Sequence, residues 1–286
     1  MAAYQHYVST APDAEFPAEA GRYHLYVTLS CPYACRALAA LYIKGLDSVV
    51  DVSATFIGAT GDAHPTTGCI PDTVKNAKFV RDLYEMVDKE PRRYTVPLLW
   101  DKKKDTIVCN ESADLVRMFN SGFGDLATKK NDVLPAHLLA EIEAMNAGLL
   151  DEINTAFYKT AFLTKPETYE QLLEDVFAGI TKAEALLATQ RYLVGDQVTE
   201  CDIRLFHTLL RFDYAQRADK KQNLKDFPNV VGYLRDLRQH EDLARTVDES
   251  HLSLMLLNYG VSPIGPAVGP FVDYLAPHDR ATKFSV

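Results

Sequence analysis

A cysteine marks the point where an apolar, strand-like run gives way to a helix pattern. Residues 25–29 form the apolar run, Ser30 and Cys31 follow it, and Pro32 comes next. Serine is a favoured helix N-cap, and proline is tolerated in the first helical turn, where its missing N–H would have no partner anyway. We therefore predict a helix over residues 34–46, capped by Ser30, with its free N–H groups directed at the Cys31 sulfur.

This placement predicts a reactive thiol. The N-terminus of a helix carries partial positive charge, which favours thiolate over thiol, and the thiolate is the nucleophilic form of cysteine. The alternative interpretation is a small buried hydrophobic side chain, the commonest fate of an isolated cysteine. That alternative explains neither Pro32 nor the strand-to-helix boundary, so Cys31 is the candidate nucleophile.

The number and spacing of the cysteines indicate whether the chain contains disulfides or a metal site. The chain has five cysteines, which are Cys31, Cys35, Cys69, Cys109 and Cys201. An odd and scattered set fits a reducing compartment and does not fit a disulfide framework. No two are spaced C-x2-C and no histidine cluster accompanies them, so no metal site is predicted.

Charge and hydropathy exclude several classes of partner. The formal net charge is −9, and no basic stripe is interleaved with aromatic residues, which argues against nucleic acid and anionic lipid. The lysine triplet 102–104, flanked by aspartates, is typical of a solvated hairpin tip. No apolar run reaches the roughly 18–20 residues of a membrane span, and the polar N-terminal stretch 1–21 lacks a signal-peptide core. The sequence therefore predicts a cytoplasmic protein without a membrane partner.

Alternating and helical hydrophobic patterns predict the order of strands and helices in the first half of the chain. A strand over 49–56 and a helix over 79–87 follow the Cys31 helix, separated by a loop-like stretch at 58–72. Residues 95–100 and 106–109 indicate a β-hairpin, with Asn110 closing the second strand and starting a helix. Pro97 within the first of these strands predicts an edge position or a cis bond, because proline donates no ladder hydrogen bond. The resulting order β-α-β-α-β-β-α is the thioredoxin-like arrangement.

The second half is predicted to be all-helical. A polar, glycine-containing stretch at 121–135 is the candidate linker, and helical patterns cover 137–154, 167–190, 202–214 and 230–238. Thr199 and Asp202 have capping-box spacing before the third of these helices. The Pro- and Gly-rich tail 262–277 is expected to lack regular structure. We predict two domains, a thioredoxin-like domain over 1–124 and a helical domain over 125–286.

Several motifs then resemble one protein family. Residues 31–36 read C-P-Y-A-C-R and are similar to the C-P-W-A-H-R signature of the Xi-class glutathione transferases, the glutathionyl-hydroquinone reductases. Residues 93–101, R-Y-T-V-P-L-L-W-D, and 106–112, T-I-V-C-N-E-S, resemble two further Xi-class blocks. Shorter Xi-like blocks lie at 157–159, 202–206, 211–213 and 233–237. The resemblance implies an α/β thioredoxin-like domain followed by a glutathione-transferase-type helical domain.

The resemblance also implies a glutathione site in the first domain. Glu111 would take the ammonium of glutathione, and the Ser112 hydroxyl with nearby helix N–H groups would hold the γ-glutamyl carboxylate. Val96, before a cis-Pro97, would offer its backbone N–H and C=O to the cysteinyl part, and Arg93 would assist the anionic end. The alternative for Glu111 and Ser112 is plain helix capping.

The chain departs from the Xi-class pattern beside the nucleophile. Tyr33 stands where the class has tryptophan, Cys35 stands where it has histidine, and Trp100 is the only tryptophan of the chain. Tyr33 and Cys35 are candidate supporting residues. Helical i,i+4 spacing would place the Cα atoms of Cys31 and Cys35 roughly 6 Å apart, but their disulfide torsion would be strained. A single-thiol cycle is therefore predicted, with Cys35 a buried structural thiol and resolution as its competing role.

Tyrosines of the second half are the candidate acceptor pocket. Tyr158 matches a tyrosine that the class uses to hold an aromatic substrate, and it is predicted to hydrogen-bond a phenolic leaving group. Gln216 replaces another, with Tyr214 nearby, and Tyr259 lies near a third.

The implied activity is that of a Cys-type glutathione transferase that removes glutathione from glutathionylated substrates through a Cys31 mixed disulfide. Two alternatives stay open. The first is a general thioltransferase or dehydroascorbate reductase that uses glutathione or a bis-glutathionyl thiol such as trypanothione. The second is a non-catalytic ligand-binding protein on the same fold. Glutathione or a related thiol is the expected co-substrate, no metal is expected, and the resemblance implies a homodimer.

Overall fold

The computed structural model describes residues 4–54, 70–77, 79–161, 168–216, 222–258 and 269–284. The chain divides into two compact units. The first unit comprises Met1–Asp132 and Arg245–His251, and the second comprises Val133–Ala244 and Leu252–Val286. The domain boundary at residue 124 stays a prediction.

The first unit is built on a mixed four-stranded sheet and a separate pair of short strands. The strands are β1 Val8–Ser9, β2 Phe16–Pro17, β3 Tyr23–Val27, β4 Asp51–Ala54, β5 Leu98–Asp101 and β6 Thr106–Cys109. The four-stranded sheet has the order β4-β3-β5-β6, in which β3 pairs in parallel with β4 and antiparallel with β5, and β5 pairs antiparallel with β6. The short strands β1 and β2 pair in parallel.

Three helices complete the first unit: α1 Pro32–Ile43, α2 Val80–Val87 and α3 Ser112–Arg117. From β3 to α3 the order is the predicted β-α-β-α-β-β-α. Helix α1 begins and ends earlier than the predicted 34–46. It ends because Gly45 adopts a left-handed φ of 63°, a common helix terminator, where a Cβ would lie 2.1 Å from the Thr128 hydroxyl oxygen.

The sheet and its helices bury a continuous apolar core. Ten residues of α1, from Ala34 to Ile43, are buried, and its small alanines let the helix pack closely against neighbours that include α3. Helix α2 covers another part of the sheet, where Leu83 and Tyr84 pack with Trp100 and Ile107. The same cluster includes Tyr26 near the end of β3 and Leu98 at the start of β5, so these strand ends are part of the core.

The second unit is helical in the part of the chain that the structure describes. Its helices are α4 Leu139–Met145, α5 Asp151–Ala161, α6 Tyr169–Leu187, α7 Glu200–Tyr214, α8 Pro228–Arg238, α9 Glu241–Ala244 and α11 Arg280–Lys283, together with α10 Glu249–Asn258, which begins in the first unit. Helices α5 and α6 pack together, and α6 also packs against α8. The helical pattern predicted over 137–154 is found, but Gly148 is non-helical (φ −98°, ψ −105°) and divides the segment. Shorter 3-10 or π turns occur in the first unit at Met118–Gly122 and Gly124–Leu126, and in the second at Ala136–Leu138, Asn146–Leu150 and Leu224–Asp226.

The tail follows the second unit without regular structure over residues 269–277, as predicted, while residues 262–268 lie outside the described part. Its anchor is Asp213, whose carboxylate accepts hydrogen bonds from the backbone N–H groups of Phe271 (3.1 Å) and Val272 (3.0 Å). The Tyr274 hydroxyl donates to the same oxygen at 2.9 Å. Among the described residues, no helix is long and apolar enough to cross a bilayer.

The predicted capping residues are found at the start of α7. Thr199 is the N-cap, and its N–H donates to Asp202 Oδ2 at 2.8 Å. Asp202 Oδ1 accepts from the Leu193 N–H at 2.9 Å and from the Tyr233 hydroxyl at 3.0 Å. The carboxylate is fully buried, so it joins α7 to α8 as well as capping α7.

Asp202→Ala is expected to lower the free energy of unfolding by about 2–4 kcal/mol, because buried donors lose their acceptor. Urea unfolding followed by circular dichroism measures the change. Asp226→Ala is the matched control, since Asp226 accepts from the Asn223 N–H in the same motif but is exposed. Equal losses in the two variants would show that burial does not add to the capping effect.

Candidate active site

Cys31 is itself the N-cap of α1, with an extended backbone (φ −82°, ψ 119°). The prediction that Ser30 caps the helix is wrong. Pro32 occupies the first helical position, and the residue before a proline is restricted to extended conformations, so the cap is placed at Cys31. Ser30 lies one residue too early and is buried.

The Cys31 thiol differs from the other thiols in its exposure. Of the four cysteines within the described residues, Cys31 is half-buried and the others are buried; Cys69 lies outside them. Burial raises the pKa of Cys109 and of Cys201 to about 12, which keeps both thiols protonated near neutral pH. Cys35 is fully buried, with Sγ 3.4 Å from the Leu29 carbonyl oxygen as a hydrogen-bond donor. Cys31 is thus the accessible thiol of this group.

The segment before β5 lies beside this thiol. The Val96–Pro97 peptide bond is cis, and the Cys31 Sγ lies 3.8 Å from the Val96 carbonyl oxygen. Of the two predicted explanations for Pro97, the cis bond is confirmed and the edge position is wrong. Strand β5 is interior to the sheet, and Pro97 is accommodated because it precedes the first ladder residue, Leu98.

Glu111 and Ser112 mark the start of α3. Glu111 is the N-cap, and its Oε1 accepts from the Ala113 N–H at 3.3 Å and from the Ser112 hydroxyl at 3.4 Å. Ser112 is buried and Glu111 is half-buried. The prediction that Asn110 starts the helix is wrong, because Glu111 is the N-cap. The Asn110 side chain instead donates hydrogen bonds to Tyr84 and Thr95. The capping interpretation of Glu111 is therefore realised in the structure, through long contacts that leave its carboxylate half-exposed.

The sheet register brings these segments to one edge of the sheet, meaning the side formed by strand ends near Cys31 and not a lateral edge strand. Tyr26 pairs with Leu98, and Leu99 pairs with Cys109. The end of β3, the start of β5 and the end of β6 therefore meet at the same edge, because β5 runs antiparallel to both neighbours. Cys31 and Val96, which are in contact, and Glu111 each extend from that edge.

Three further predicted residues lie in the same unit. Tyr33 is half-buried, and the Arg36 guanidinium lies over its ring at 4.5 Å from the centroid. Cys35 lies one helical turn inside α1, where it points at the Leu29 carbonyl. The Arg93 side chain is exposed.

The predicted acceptor residues belong to the second unit. Tyr158 on α5 is 43% exposed, whereas Tyr214 at the end of α7 is 4% exposed. Gln216 is buried, and neither atom of its side-chain amide has a hydrogen-bond partner among the residues that the structure describes. Tyr259 lies outside the described residues. Tyr158 is thus the most exposed of the three of these residues that the structure describes.

A buried polar network beside the site was not predicted. Asn110 Nδ2 donates to the Tyr84 hydroxyl oxygen at 2.9 Å and to Thr95 Oγ1 at 3.2 Å. The Tyr84 hydroxyl donates to the Thr95 carbonyl oxygen at 2.9 Å. The sequence carries one signal for it, an asparagine between an apolar strand and an acidic helix start, but nothing local indicates its partners. Within the described residues, no group of three or more histidine, cysteine or acidic side chains is arranged to hold a metal ion.

Comparison with known proteins places this geometry among glutathione transferases. Residues 166–236 match the glutathione S-transferase C-terminal domain family. The glutathionyl-hydroquinone reductase YqjG of Escherichia coli K12 is 38% identical in an alignment 291 residues long, gaps included, that covers 94% of this chain and 85% of the relative. The glutathionyl-hydroquinone reductase PcpF of Sphingobium chlorophenolicum is 35% identical in an alignment 269 residues long that covers 89% of this chain and 86% of the relative.

Solved structures agree with the sequence relatives. The glutathione-bound structure of the Escherichia coli YqjG protein superimposes with a TM-score of 0.90 at 35% identity, covering 99% of this chain and 97% of the other. The Xi-class glutathione transferase of Natrialba magadii superimposes with a TM-score of 0.89 at 35% identity, covering 98% of this chain and 89% of the other.

Proposed function

Since the chain belongs to the Xi class of glutathione transferases, the class of the glutathionyl-hydroquinone reductases, we propose that it removes glutathione from glutathionylated small molecules through Cys31. The observation that carries the proposal is the position of this thiol. Cys31 is the N-cap of α1 and is half-buried, while Cys35, Cys109 and Cys201 are buried. A thiolate at a helix N-terminus is stabilised by the helix dipole without a separate base.

The proposed first step is attack by the Cys31 thiolate on the glutathionyl sulfur of the substrate. An S–S bond forms between Cys31 and glutathione, the sulfur–carbon bond of a glutathionyl-hydroquinone breaks, and the ring carbon takes a proton to release the hydroquinone. In the second step, the thiolate of a second glutathione attacks the mixed disulfide. Glutathione disulfide leaves, and the Cys31 thiolate is regenerated.

The proposed glutathione site lies along the sheet edge beside Cys31. The backbone of Val96, which immediately precedes cis-Pro97, would pair with the cysteinyl part of the tripeptide. Glu111 would take the ammonium, Ser112 the γ-glutamyl carboxylate, and the exposed Arg93 the anionic end. Glutathione or a related thiol is then the co-substrate.

The remaining assignments are also proposals. Tyr158 is exposed on α5 and is proposed to donate to the phenolic oxygen of an aromatic acceptor. Tyr33 and Cys35 are proposed to support the site by packing. A homodimer and a cytoplasmic location follow from the family and from the cysteine content.

A second candidate is a general thioltransferase or dehydroascorbate reductase. It is favoured by the loss of class aromatic residues, since Trp100 is the only tryptophan and is fully buried in the core. Turnover of two substrates separates the two activities. One is glutathionyl-menadione supplied with glutathione, and the other is the mixed disulfide formed from hydroxyethyl disulfide and glutathione.

We expect kcat/KM to be higher for glutathionyl-menadione supplied in its hydroquinone form, with one glutathione consumed for each menadiol released. Turnover of the mixed disulfide alone would favour the second candidate. If neither substrate turns over and iodoacetamide does not label Cys31 at pH 6, the chain is a ligand-binding protein without this activity.

A further inference from the structure

We propose that Tyr84 and Asn110 are positioning residues of the glutathione site, which together hold the Val96 segment and Glu111 at a constant separation. This inference rests on the proposed function, because it assigns both segments to opposite parts of one tripeptide ligand. The network of Tyr84, Thr95 and Asn110, of which Tyr84 and Asn110 are buried, would then set the distance between these two ligand-binding segments. It would act without touching the ligand.

The network connects the residues immediately before the two binding points. Tyr84 is fully buried, and its hydroxyl donates to the Thr95 carbonyl oxygen at 2.9 Å while accepting from Asn110 Nδ2 at 2.9 Å. Asn110 Nδ2 also donates to Thr95 Oγ1 at 3.2 Å. Thr95 immediately precedes Val96, and Asn110 immediately precedes Glu111. A shift of the network would therefore move both Val96 and Glu111, the two residues proposed to bind glutathione.

The sheet ladder does not by itself maintain this separation. The last paired residues of β5 and β6 toward this edge are Leu99 and Cys109, and the register shifts between Leu99 and Trp100. Val96 and Glu111 lie beyond that pair, where, within the described range 79–161, the β5–β6 ladder has no further paired residues. The network of Tyr84, Thr95 and Asn110 continues the connection between the strands past the end of the ladder.

The Asn110 side chain is held in one orientation from both sides. Its Oδ1 accepts from the Tyr4 N–H at 3.0 Å, and its backbone N–H donates to the Tyr4 carbonyl oxygen at 3.1 Å. The Tyr4 ring packs beside the Tyr84 ring with 6.1 Å between centroids. A buried amide with both donors and its acceptor engaged has little rotational freedom, and such satisfied networks make the local structure rigid. Burial also raises the pKa of Tyr84, so its hydroxyl stays a neutral donor.

The first test compares Tyr84→Phe with Tyr94→Phe. Tyr94 is the matched control, because its ring packs against the Tyr84 ring with 5.6 Å between centroids. Its hydroxyl donates to Glu85, which lies outside the network. For Tyr84→Phe we expect the calorimetric Kd for glutathione to rise about tenfold, as for the loss of a buried hydrogen-bonded group. The iodoacetamide alkylation rate of Cys31 should stay within about twofold, because α1 holds the thiol in place even if the Val96 carbonyl oxygen, 3.8 Å from Sγ, shifts. Tyr94→Phe should change neither quantity.

A second pair of variants keeps the proposal testable if Tyr84→Phe does not fold. Thr95 is exposed as a residue, so Thr95→Val removes the hydroxyl with little change in shape. Thr95→Val should weaken glutathione binding, and Thr95→Ser, which keeps the hydroxyl, should restore it.

The outcomes distinguish this inference from the function on which it rests. Glutathione affinity that is unchanged in Tyr84→Phe, or equal in Thr95→Val and Thr95→Ser, overturns the positioning role alone. Parallel losses of affinity and of the Cys31 alkylation rate also overturn it, because general loosening of the unit would move both. A wild-type protein that does not bind glutathione contradicts the proposed function, and the inference falls with it.

Discussion

Cys31→Ser is expected to abolish thiol transfer, with a loss of at least about a thousandfold, while Cys35→Ser keeps most of the activity. Serine at the N-cap of α1 preserves the helix start, but its hydroxyl is not a comparable nucleophile. Cys35 is fully buried and donates to the Leu29 carbonyl at 3.4 Å, so its removal alters packing and leaves the reacting thiol in place. The glutathione-dependent turnover of both variants measures the difference.

Intact mass after treatment with glutathione disulfide identifies the intermediate. A single-thiol cycle predicts one glutathione adduct in the wild-type protein and in Cys35→Ser, and none in Cys31→Ser. Loss of two hydrogens without an adduct, absent in Cys35→Ser, would instead show an internal disulfide between the two cysteines. Activity that survives in Cys31→Ser would reject the mechanism.

Glu111→Ala is expected to weaken glutathione binding by about 2–5 kcal/mol, because the ammonium of the tripeptide would lose its charged partner. This corresponds to a rise in Kd of roughly 30-fold to several thousandfold. Calorimetry in the Cys31→Ser background measures binding without covalent chemistry.

The control separates charge from capping. Glu111→Gln retains an oxygen that can accept from the Ala113 N–H, so α3 should keep its cap and the protein its unfolding midpoint. Its glutathione affinity should nonetheless fall, because the negative charge is gone. Wild-type affinity in Glu111→Gln would return Glu111 to a capping role alone.

Much of the fold follows from local sequence patterns. The apolar runs and their turns predicted the β5–β6 hairpin, the order of elements from β3 to α3, and α6, α7 and α8 to within a few residues. Thr199 and Asp202 indicated the start of α7 because capping depends on neighbours three residues apart. The motif around Cys31 and its resemblance to the Xi class were equally local, and the comparisons confirm the family.

Some features depended on contacts between distant segments. The sequence allowed Pro97 to lie at an edge or to follow a cis bond, and the interior position of β5 decided between them. Gly148 interrupts a segment whose residues otherwise read as one helix. Burial of three cysteines, and the half-exposure of Cys31, depended on how the helices pack against their neighbours.

By itself, the sequence determined the two fold classes and the family, and it indicated Cys31 as the candidate nucleophile, because each is carried by residues close together in the chain. Only the tertiary structure decided that Cys31 is the accessible thiol among the described cysteines and that Tyr84, Thr95 and Asn110 meet beside Val96 and Glu111. Tyr84 and Asn110 are 26 residues apart, on a helix and at a strand end. Sequence periodicity predicts which face of a helix or strand is buried. A hydrogen bond between two elements depends on where both elements lie, and their relative position is established by packing.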